Sequence, residues 1–322
     1  MFEYIITRPM GYIIEFIYNW VQNYGLAIIL FTIIIKLILL PLNIKSQKSM
    51  KKQQKIQPYI AELQKKYAND QEKLSRETMK LYKENNISMA GGCLPMLIQM
   101  PILIGLYQVI QKPLSYLLHV DFNQPDVINR VYALRDAFAD SNLASRTEEQ
   151  LANTSQISIA QWAQANGDTD WIINFKMFFL DLANIPSKAF SYIGEIFQGN
   201  MEHLSIVLLL LIPIVAILAQ LASMKLTQSM TGQAKTEKSD NAAVNSANQM
   251  SKSMMLMMPV MTGFFTLTLP AGIGLYWIVS SLVQIAQQVF INIYFNNKKE
   301  DDVIVKIPEI KSNNGKKRKK HK

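Results

Sequence analysis

The stretch TIIIKLILLPL, residues 32–42, places one lysine, Lys36, inside an otherwise apolar run. From Leu26 to Leu42 the chain holds 13 Leu, Ile or Phe residues. Each favours membrane insertion by about 0.3–0.6 kcal/mol, roughly 6 kcal/mol together. A lysine near the centre of a span opposes insertion by about 2.5–3.5 kcal/mol. The segment is therefore expected to span a membrane, although Lys36 offsets about half of its insertion free energy.

A lysine at this position has two interpretations. In the first, Lys36 lies towards the cytoplasmic end of its span and its long side chain reaches the water there. Lys45 is a better candidate for the membrane edge, and the helical rise would place Lys36 about 13 Å deeper. We favour the second interpretation, a wet cavity inside the protein that hydrates the ammonium group. Thr32, one helical turn earlier, would face the same cavity.

The apolar residues of the chain are gathered into long blocks. The 322 residues are 49% hydrophobic, with a net charge of +9 and a single cysteine, Cys93, which cannot form an intrachain disulfide. Blocks of about 20 apolar residues match the hydrocarbon core of a bilayer, so we predict an all-α integral membrane protein with five transmembrane helices. The predicted spans are TM1 at 21–43, TM2 at 94–118, TM3 at 204–222, TM4 at 254–269 and TM5 at 272–293.

The charge of the connecting segments predicts the orientation. Segment 44–93 holds 11 Lys or Arg against 5 Asp or Glu, whereas residues 113–203 hold 5 against 11. Basic connections stay in the cytoplasm, so the N-terminus is expected outside and the C-terminus in the cytoplasm. The predicted connections are a cytoplasmic segment at 44–93, an extracytoplasmic segment at 119–203, a cytoplasmic loop at 223–253 and a basic cytoplasmic tail at 294–322.

Residues 1–20 are predicted to form an amphipathic helix on the membrane surface. Their apolar and aromatic side chains recur at helical spacing around Glu15, which favours such a helix. A plain loop is the alternative. The residues of this apolar side are Tyr12, Ile13, Phe16, Ile17 and Trp20.

Segment 44–93 is predicted to form a basic helical hairpin below the membrane. Ile56, Ile60 and Leu63 would form the apolar side of its first helix, which argues against a solvated linker. Asn69 would cap the second helix, with Glu72 completing a capping box.

Two basic clusters could bind the phosphates of a ribosome or of anionic lipids. For the tail cluster, a simple topology signal is the alternative. The clusters are Lys51, Lys52 and Lys55 in the hairpin, and Lys317, Arg318, Lys319 and Lys320 in the tail.

Neutral polar residues in the other spans could complete a hydrophilic lining around Lys36, or they could only join one helix to another by hydrogen bonds. The fifth span carries a polar face with Trp277, Ser280, Gln284, Gln287 and Gln288 at helical spacing. The remaining candidates are Gln99 and Gln108 in the second span, and Thr262, Thr266 and Thr268 in the fourth.

The absence of other motifs narrows the function. The predicted spans contain no Asp or Glu, and the chain has neither an HExxH motif nor a P-loop. An intramembrane protease, a zinc enzyme or an ATPase would need one of these features. A coupled transporter usually needs a buried carboxylate and often an internal repeat. We therefore expect no enzyme activity and no cofactor, with a small anion transporter or channel using Lys36 as the alternative function.

Several blocks resemble, in order, the YidC/Oxa/Alb family of membrane protein insertases. NYGLAIILFTIIIKLILLPL resembles the first core span of that family, in which the basic residue is most often arginine. GGCLPMLIQMPI resembles the entrance to the second core span, and LPAGIGLYWIVSSLVQIAQQ resembles the last span. The resemblance covers about 21–118 and 204–293.

The resemblance implies a five-helix core around a hydrophilic groove that is open to the cytoplasm and to lipid. It implies an insertase and chaperone of the bacterial plasma membrane, acting alone or with the Sec translocon and without nucleotide hydrolysis. The implied partners are nascent membrane proteins and the Sec translocon, and the basic clusters add the ribosome and anionic lipids as expected partners. The family's groove residues fall on Lys36, Thr32, Gln99, Tyr276 and Trp277, and Ser280 and Gln284 join them on the same face of the last span.

Overall fold

The computed structural model describes residues 2–67, 70–88, 94–137, 156–231 and 257–297. These residues are mostly helical, as predicted, with one two-stranded antiparallel sheet among them. A π-helical turn at Glu3–Thr7 precedes the first α-helix, and a 3-10 helix spans Pro186–Ser191. The elements are α1 Arg8–Val21, α2 Tyr24–Ile38, α3 Leu40–Lys66, α4 Gln71–Glu84, α5 Leu94–Gln111, α6 Pro113–Leu117, α7 Pro125–Ala137, α8 Gln156–Ala165, β1 Lys176–Met177, β2 Leu180–Asp181, α9 Ile193–Phe197, α10 Leu204–Leu208, α11 Leu211–Thr231, α12 Met257–Thr268 and α13 Ala271–Asn297.

Each of the five predicted apolar segments is mostly helical where the structure describes it, with interruptions at Leu39, at Lys112 and at residues 209–210. Leu204–Met230 and Ala271–Ile293 are long and apolar enough to cross a membrane by length and composition. The bent pair α2–α3 would supply a third crossing, while Leu97–Gln111 and Met257–Thr268 are shorter apolar helices. The count of five crossings stays a prediction.

The first predicted span is bent rather than straight. The axes of Tyr24–Ile38 and Leu40–Gln53 differ by 56°. Pro41 has no N–H for the carbonyl of Leu37, and its ring crowds that carbonyl, so the helix breaks just before the proline. The prediction of one span over 21–43 missed this break. Helix α3 instead joins the end of the span to the first helix of the predicted hairpin.

Helix α1 divides its apolar residues between the protein and the surroundings. Met10, Ile14 and Ile17 are buried in the main core. Tyr12, Phe16 and Trp20 are exposed along the opposite side. A helix is therefore present over Arg8–Val21, and its place on the membrane surface stays a prediction. Ile17 does not belong to the exposed apolar side, because packing against the bundle buries this side chain.

The predicted hairpin is formed by α3 and α4, which pack against each other around a separate small core. Ile56, Ile60 and Leu63 of α3 are buried there with Leu81 of α4, so the predicted apolar side is confirmed. The predicted cap was wrong. Asp70 caps α4 by accepting a hydrogen bond from the Lys73 N–H at 3.0 Å, so no glutamate stands at the capping-box position. Asn69 lies outside the described residues.

Segment 119–203 is held together by α7, α8 and one charged cluster. Arg130 donates to Asp168 and Asp170, and its guanidinium lies 4.4 Å from the ring centre of Trp171. Burial of Asp168 opposes its ionisation, but hydrogen bonds from the Asp170 N–H and from Arg130 outweigh it and lower the pKa of the carboxyl. The polar middle of this segment, residues 138–155, lies outside the described residues.

Helix α13 is the centre of the bundle, packed between α11 and α2. Two glycines on this helix allow the close approach. A Cβ atom on Gly272 would lie 3.2 Å from Ile28 of α2, and one on Gly274 would overlap the Cγ2 of Ile212 in α11.

We expect Gly274→Val to destabilise the bundle by about 1–3 kcal/mol, because α11 must move away from α13 to accommodate the new side chain. The measurement is the midpoint of thermal unfolding of the purified chain in detergent. Gly194→Ala is the matched control, since a Cβ there meets nothing within 4 Å. An unchanged midpoint for Gly274→Val would contradict close packing at this position.

Candidate functional site

Lys36 points into the protein. Its residue is 8% exposed, while its neighbours Leu37 and Ile38 are exposed on the outer surface of α2. Thr32 is fully buried one turn earlier and donates its hydroxyl to the Ile28 carbonyl at 2.6 Å. The two residues share an inward face, as their spacing predicted, and this burial favours the interior interpretation of Lys36 over a side chain that reaches the membrane edge.

No carboxylate pairs with Lys36 within the described part of the chain. Its backbone carbonyl accepts a hydrogen bond of 2.7 Å from the Nε2 of Gln287 on α13, and this contact is buried. The carbonyl belongs to the last turn of α2, directly before the break. Gln287 therefore ties the end of α2 that carries the cation to the central helix.

The contacts continue below Lys36 as an amide cluster, which we define as Asn43, Gln47, Gln287 and Gln288. The Nδ2 of Asn43 donates to the Gln287 Oε1 at 3.3 Å, and the Nε2 of Gln47 donates to the Gln288 Oε1 at 3.4 Å. Thr227 of α11 also donates to the Gln288 Oε1, at 3.2 Å. Among the described residues, the buried Nε2 of Gln288 has no hydrogen-bond partner. The cluster thus joins α3, α11 and α13 and leaves one buried donor unpaired.

Further along α13, polar contacts join the same helix to α5 and α11. The Nε2 of Gln99 donates to the buried hydroxyl of Tyr276. Ser281 donates to the Oε1 of Gln220 at 3.0 Å. Ser280 is buried, and Trp277 is partly buried with its ring stacked on Phe265 at 6.3 Å. The predicted residues Gln99, Tyr276, Trp277 and Ser280 are therefore all on or beside the inward side of α13.

Other predicted lining residues make different contacts. Gln284 is exposed and does not belong to the amide cluster. Gln108 accepts from the Thr7 hydroxyl at 3.0 Å, so it joins α5 to the turn before α1. Thr266 and Thr268 donate to carbonyls of their own helix, Thr262 and Phe264.

Residues 16–299 match the family described as the 60Kd inner membrane protein family. The chain belongs to this family. Membership confirms the resemblance to the YidC-type insertases, and with the apolar helices it makes the chain a multi-pass protein of the bacterial membrane.

Three relatives illustrate the extent of the similarity within the 60Kd inner membrane protein family. The chain is 30% identical over 287 residues to the membrane protein insertase YidC of Syntrophus aciditrophicus (strain SB), covering 89% of this chain and 36% of that relative. It is 29% identical over 293 residues to the protein of the same name from Pelobacter propionicus (strain DSM 2379 / NBRC 103807 / OttBd1), covering 91% and 39%. With the protein of that name from Nitratidesulfovibrio vulgaris (strain DP4), identity reaches 46% over 122 residues, which cover 36% of this chain and 23% of that relative. The chain spans little more than a third of the length of these relatives.

The basic residues predicted to bind phosphate lie away from Lys36 along the sequence. Lys51, Lys52 and Lys55 are on α3, where Lys55 is exposed and the other two are partly exposed. Lys317, Arg318, Lys319 and Lys320 lie outside the described residues.

Sequence reasoning missed several residues of the site in this member of the 60Kd inner membrane protein family. Gln220 is the only amide side chain in the third apolar block, which was an available signal. Asn43 and Gln47 were not predicted because they lie at the end of the first span and beyond it, where polar residues are ordinary. Their role depends on α3, which follows the break and brings both side chains to α13.

Proposed function

We propose that this chain is a membrane protein insertase that also helps newly made membrane proteins to fold. The observation that carries the proposal is Lys36, a buried cation without a carboxylate partner among the described residues, set beside the amide cluster. The printed names of the relatives, membrane protein insertase YidC, support the same function. Lys36, Thr32, Gln99, Tyr276, Trp277, Ser280 and Gln284 are the proposed residues of the hydrophilic groove.

The proposed mechanism needs no nucleotide. The hydrophilic end of a nascent segment enters the groove, where Lys36 attracts acidic groups. A charge pair at about 4 Å and an effective dielectric of about 20 interacts by about 4 kcal/mol before desolvation is subtracted. The amide cluster holds the end of α2 that carries Lys36 in place through neutral hydrogen bonds. The apolar part of the segment then moves into lipid, and its burial drives the step.

The groove cation is a lysine in a position where the family most often has arginine. Both side chains supply a positive charge, but an ammonium group is a compact charge without the planar fork of guanidinium. We propose that attraction is kept and that bidentate binding of a carboxylate is lost.

The proposed partners are nascent membrane proteins, the ribosome, anionic lipids and the Sec translocon. In the proposed orientation the N-terminus is outside, and the hairpin and the tail are cytoplasmic. Phosphate contacts by Lys51, Lys52, Lys55 and the tail would then face the ribosome or the lipid headgroups.

Deleting residues 298–322 should weaken co-sedimentation with ribosomes and reduce insertion without abolishing it, because the groove remains. Changing Lys51, Lys52 and Lys55 together to glutamine should also weaken co-sedimentation with ribosomes and reduce insertion. Binding that remains should fall steeply as salt rises, since phosphate contacts release counterions. Complete loss of insertion on tail deletion would instead indicate a scaffold that recruits ribosomes and inserts nothing.

Reconstitution into liposomes tests the proposed function against the second candidate, an anion transporter or channel. A buried cation is also what an anion site would require, which keeps that candidate open. Proteoliposomes should insert a short single-spanning substrate without ATP, and empty liposomes of the same lipid should do so far less. If insertion is equal in both while small anions cross only the proteoliposomes, the transporter is the right function.

A further inference from the structure

The turn between β1 and β2 carries two exposed phenylalanines. Phe178 is 91% exposed and Phe179 is 63% exposed, so the protein leaves the first almost uncovered and the second mostly uncovered. Phe178 also has a positive φ of 56°. Two-residue hairpin turns with positive φ ordinarily use Asn, Asp or Gly, because a bulky side chain is strained there. A conformation that is strained and exposes apolar surface to water needs a compensating environment.

The rest of the hairpin is held firmly at one end of the helical bundle. The Nδ2 of Asn23, the residue that caps the start of α2, donates to the Lys176 carbonyl at 2.8 Å. The Gly272 N–H of α13 donates to the Leu182 carbonyl at 3.0 Å. A Cβ on Gly25 would lie 2.7 Å from the Leu182 Cδ1 and 2.8 Å from the Met177 Sδ, so the hairpin packs directly on α2. The tip therefore stands at the level where the apolar helices begin.

An exposed apolar surface continues from this level to the side of the bundle. Strand β2 packs against α10, the start of the third apolar block. Phe197 is 88% exposed shortly before α10, and Met201 and Leu204 are also exposed. The surface goes on to Leu211 and Ile214 of α11, which lie on a helix apolar enough to cross the membrane.

Two lysines near the tip fit the same surroundings, and Asp181 stands opposite the first of them, Lys176, in the strand register. Lys176 is exposed next to the tip, and Lys188 is exposed on the 3-10 helix that packs against α10. Lysines at this level can reach lipid phosphates while aromatic rings occupy the boundary between headgroups and acyl chains.

We propose that Phe178 and Phe179 insert into the lipid at the extracytoplasmic surface and anchor the β1–β2 hairpin to the membrane. The occupant of this surface is phospholipid, whose acyl chains receive the two rings and whose phosphates meet Lys176 and Lys188. Insertion compensates the strain at Phe178 and fixes the height of α2 and α13 in the bilayer through their contacts with the hairpin. The inference rests on the membrane location of the chain and, for the side of the membrane, on the proposed orientation. It does not rest on the proposed insertase activity.

The test uses the full-length chain with Cys93→Ser and one new cysteine, Phe178→Cys or Phe179→Cys, carrying a nitrobenzoxadiazole label. The labelled chain is reconstituted into vesicles of phosphatidylcholine and phosphatidylglycerol, with and without bromine on the acyl chains. We expect blue-shifted emission at both positions. Bromines placed high in the acyl chains should quench most of the intensity of that emission. Gln164→Cys, on an exposed site of α8, is the matched control and should show neither change.

Two outcomes would overturn the proposal. Emission at 178 and 179 that resembles the Gln164→Cys control would place the tip in water. Blue-shifted emission that brominated lipid leaves unchanged would mean that protein rather than lipid covers the tip. Labelling both tip positions separately keeps the test decisive if one variant fails to fold.

Discussion

Lys36→Ala should lower insertion of a single-spanning substrate with an acidic translocated end by about tenfold, while Lys36→Arg should keep it. The attraction between Lys36 and one carboxylate is about 4 kcal/mol before desolvation, and a net loss of about 1.4 kcal/mol corresponds to tenfold. Arginine retains the charge and adds a second donor direction, so its activity should equal or exceed that of the lysine form.

The measurement is the protease-protected fraction of substrate in proteoliposomes. Lys225→Ala is the matched control, because Lys225 is an exposed lysine on α11. A substrate with a neutral translocated end should respond less to Lys36→Ala than the acidic one. Equal insertion by the alanine, arginine and lysine forms for both substrates would show that the charge is dispensable.

Gln287→Met should reduce insertion of the acidic substrate about fivefold when Lys36 is present and should add little when Lys36 is already alanine. Methionine has a similar volume but cannot donate to the Lys36 carbonyl, and its sulfur is only a weak acceptor for Asn43. Leaving a buried carbonyl unpaired costs about 1–3 kcal/mol, and the end of α2 should then lose its defined position. Gln287 would thus act through Lys36, as a positioning residue.

A double-mutant comparison separates positioning from simple stability. Gln164→Met, an exposed amide on α8 that is not one of the proposed groove residues, is the matched control and should leave insertion unchanged. If Gln287→Met causes the same fold loss with Lys36 and with alanine at that position, Gln287 only supports packing. If Lys36→Ala itself has no effect, the proposed groove role fails, whatever Gln287 does.

Much of the fold follows from the pattern of apolar residues. Long apolar blocks predict membrane helices because hydrocarbon cannot satisfy backbone polar groups, and the described residues are mostly helical. The apolar stripe of Ile56, Ile60 and Leu63 predicted a packed helical hairpin for the same local reason. The break after Ile38 could also have been predicted from Pro41, although one continuous span was predicted there.

The site could be predicted only in part. A lysine in an apolar block is recognisable from the sequence as a candidate site residue, because a charged side chain there opposes membrane insertion. Spacing alone then placed Thr32 on the face of Lys36. Spacing could not separate Gln284, which is exposed, from Gln287, which is buried against Lys36, because both lie on one broad side of the same helix.

The amino-acid sequence alone determines the local features of this protein. It shows which segments are apolar enough to leave water, where a proline ends a helix, and which predicted span carries a charge. Partners that lie far apart along the chain are decided by packing. Gln287 meets the carbonyl of a residue 251 positions away, and Gln108 meets Thr7 rather than the groove. An amide side chain can donate to any acceptor that is brought to it, so its own sequence context does not specify the partner. Only the arrangement of α2, α3, α11 and α13 determines which polar groups meet beside Lys36.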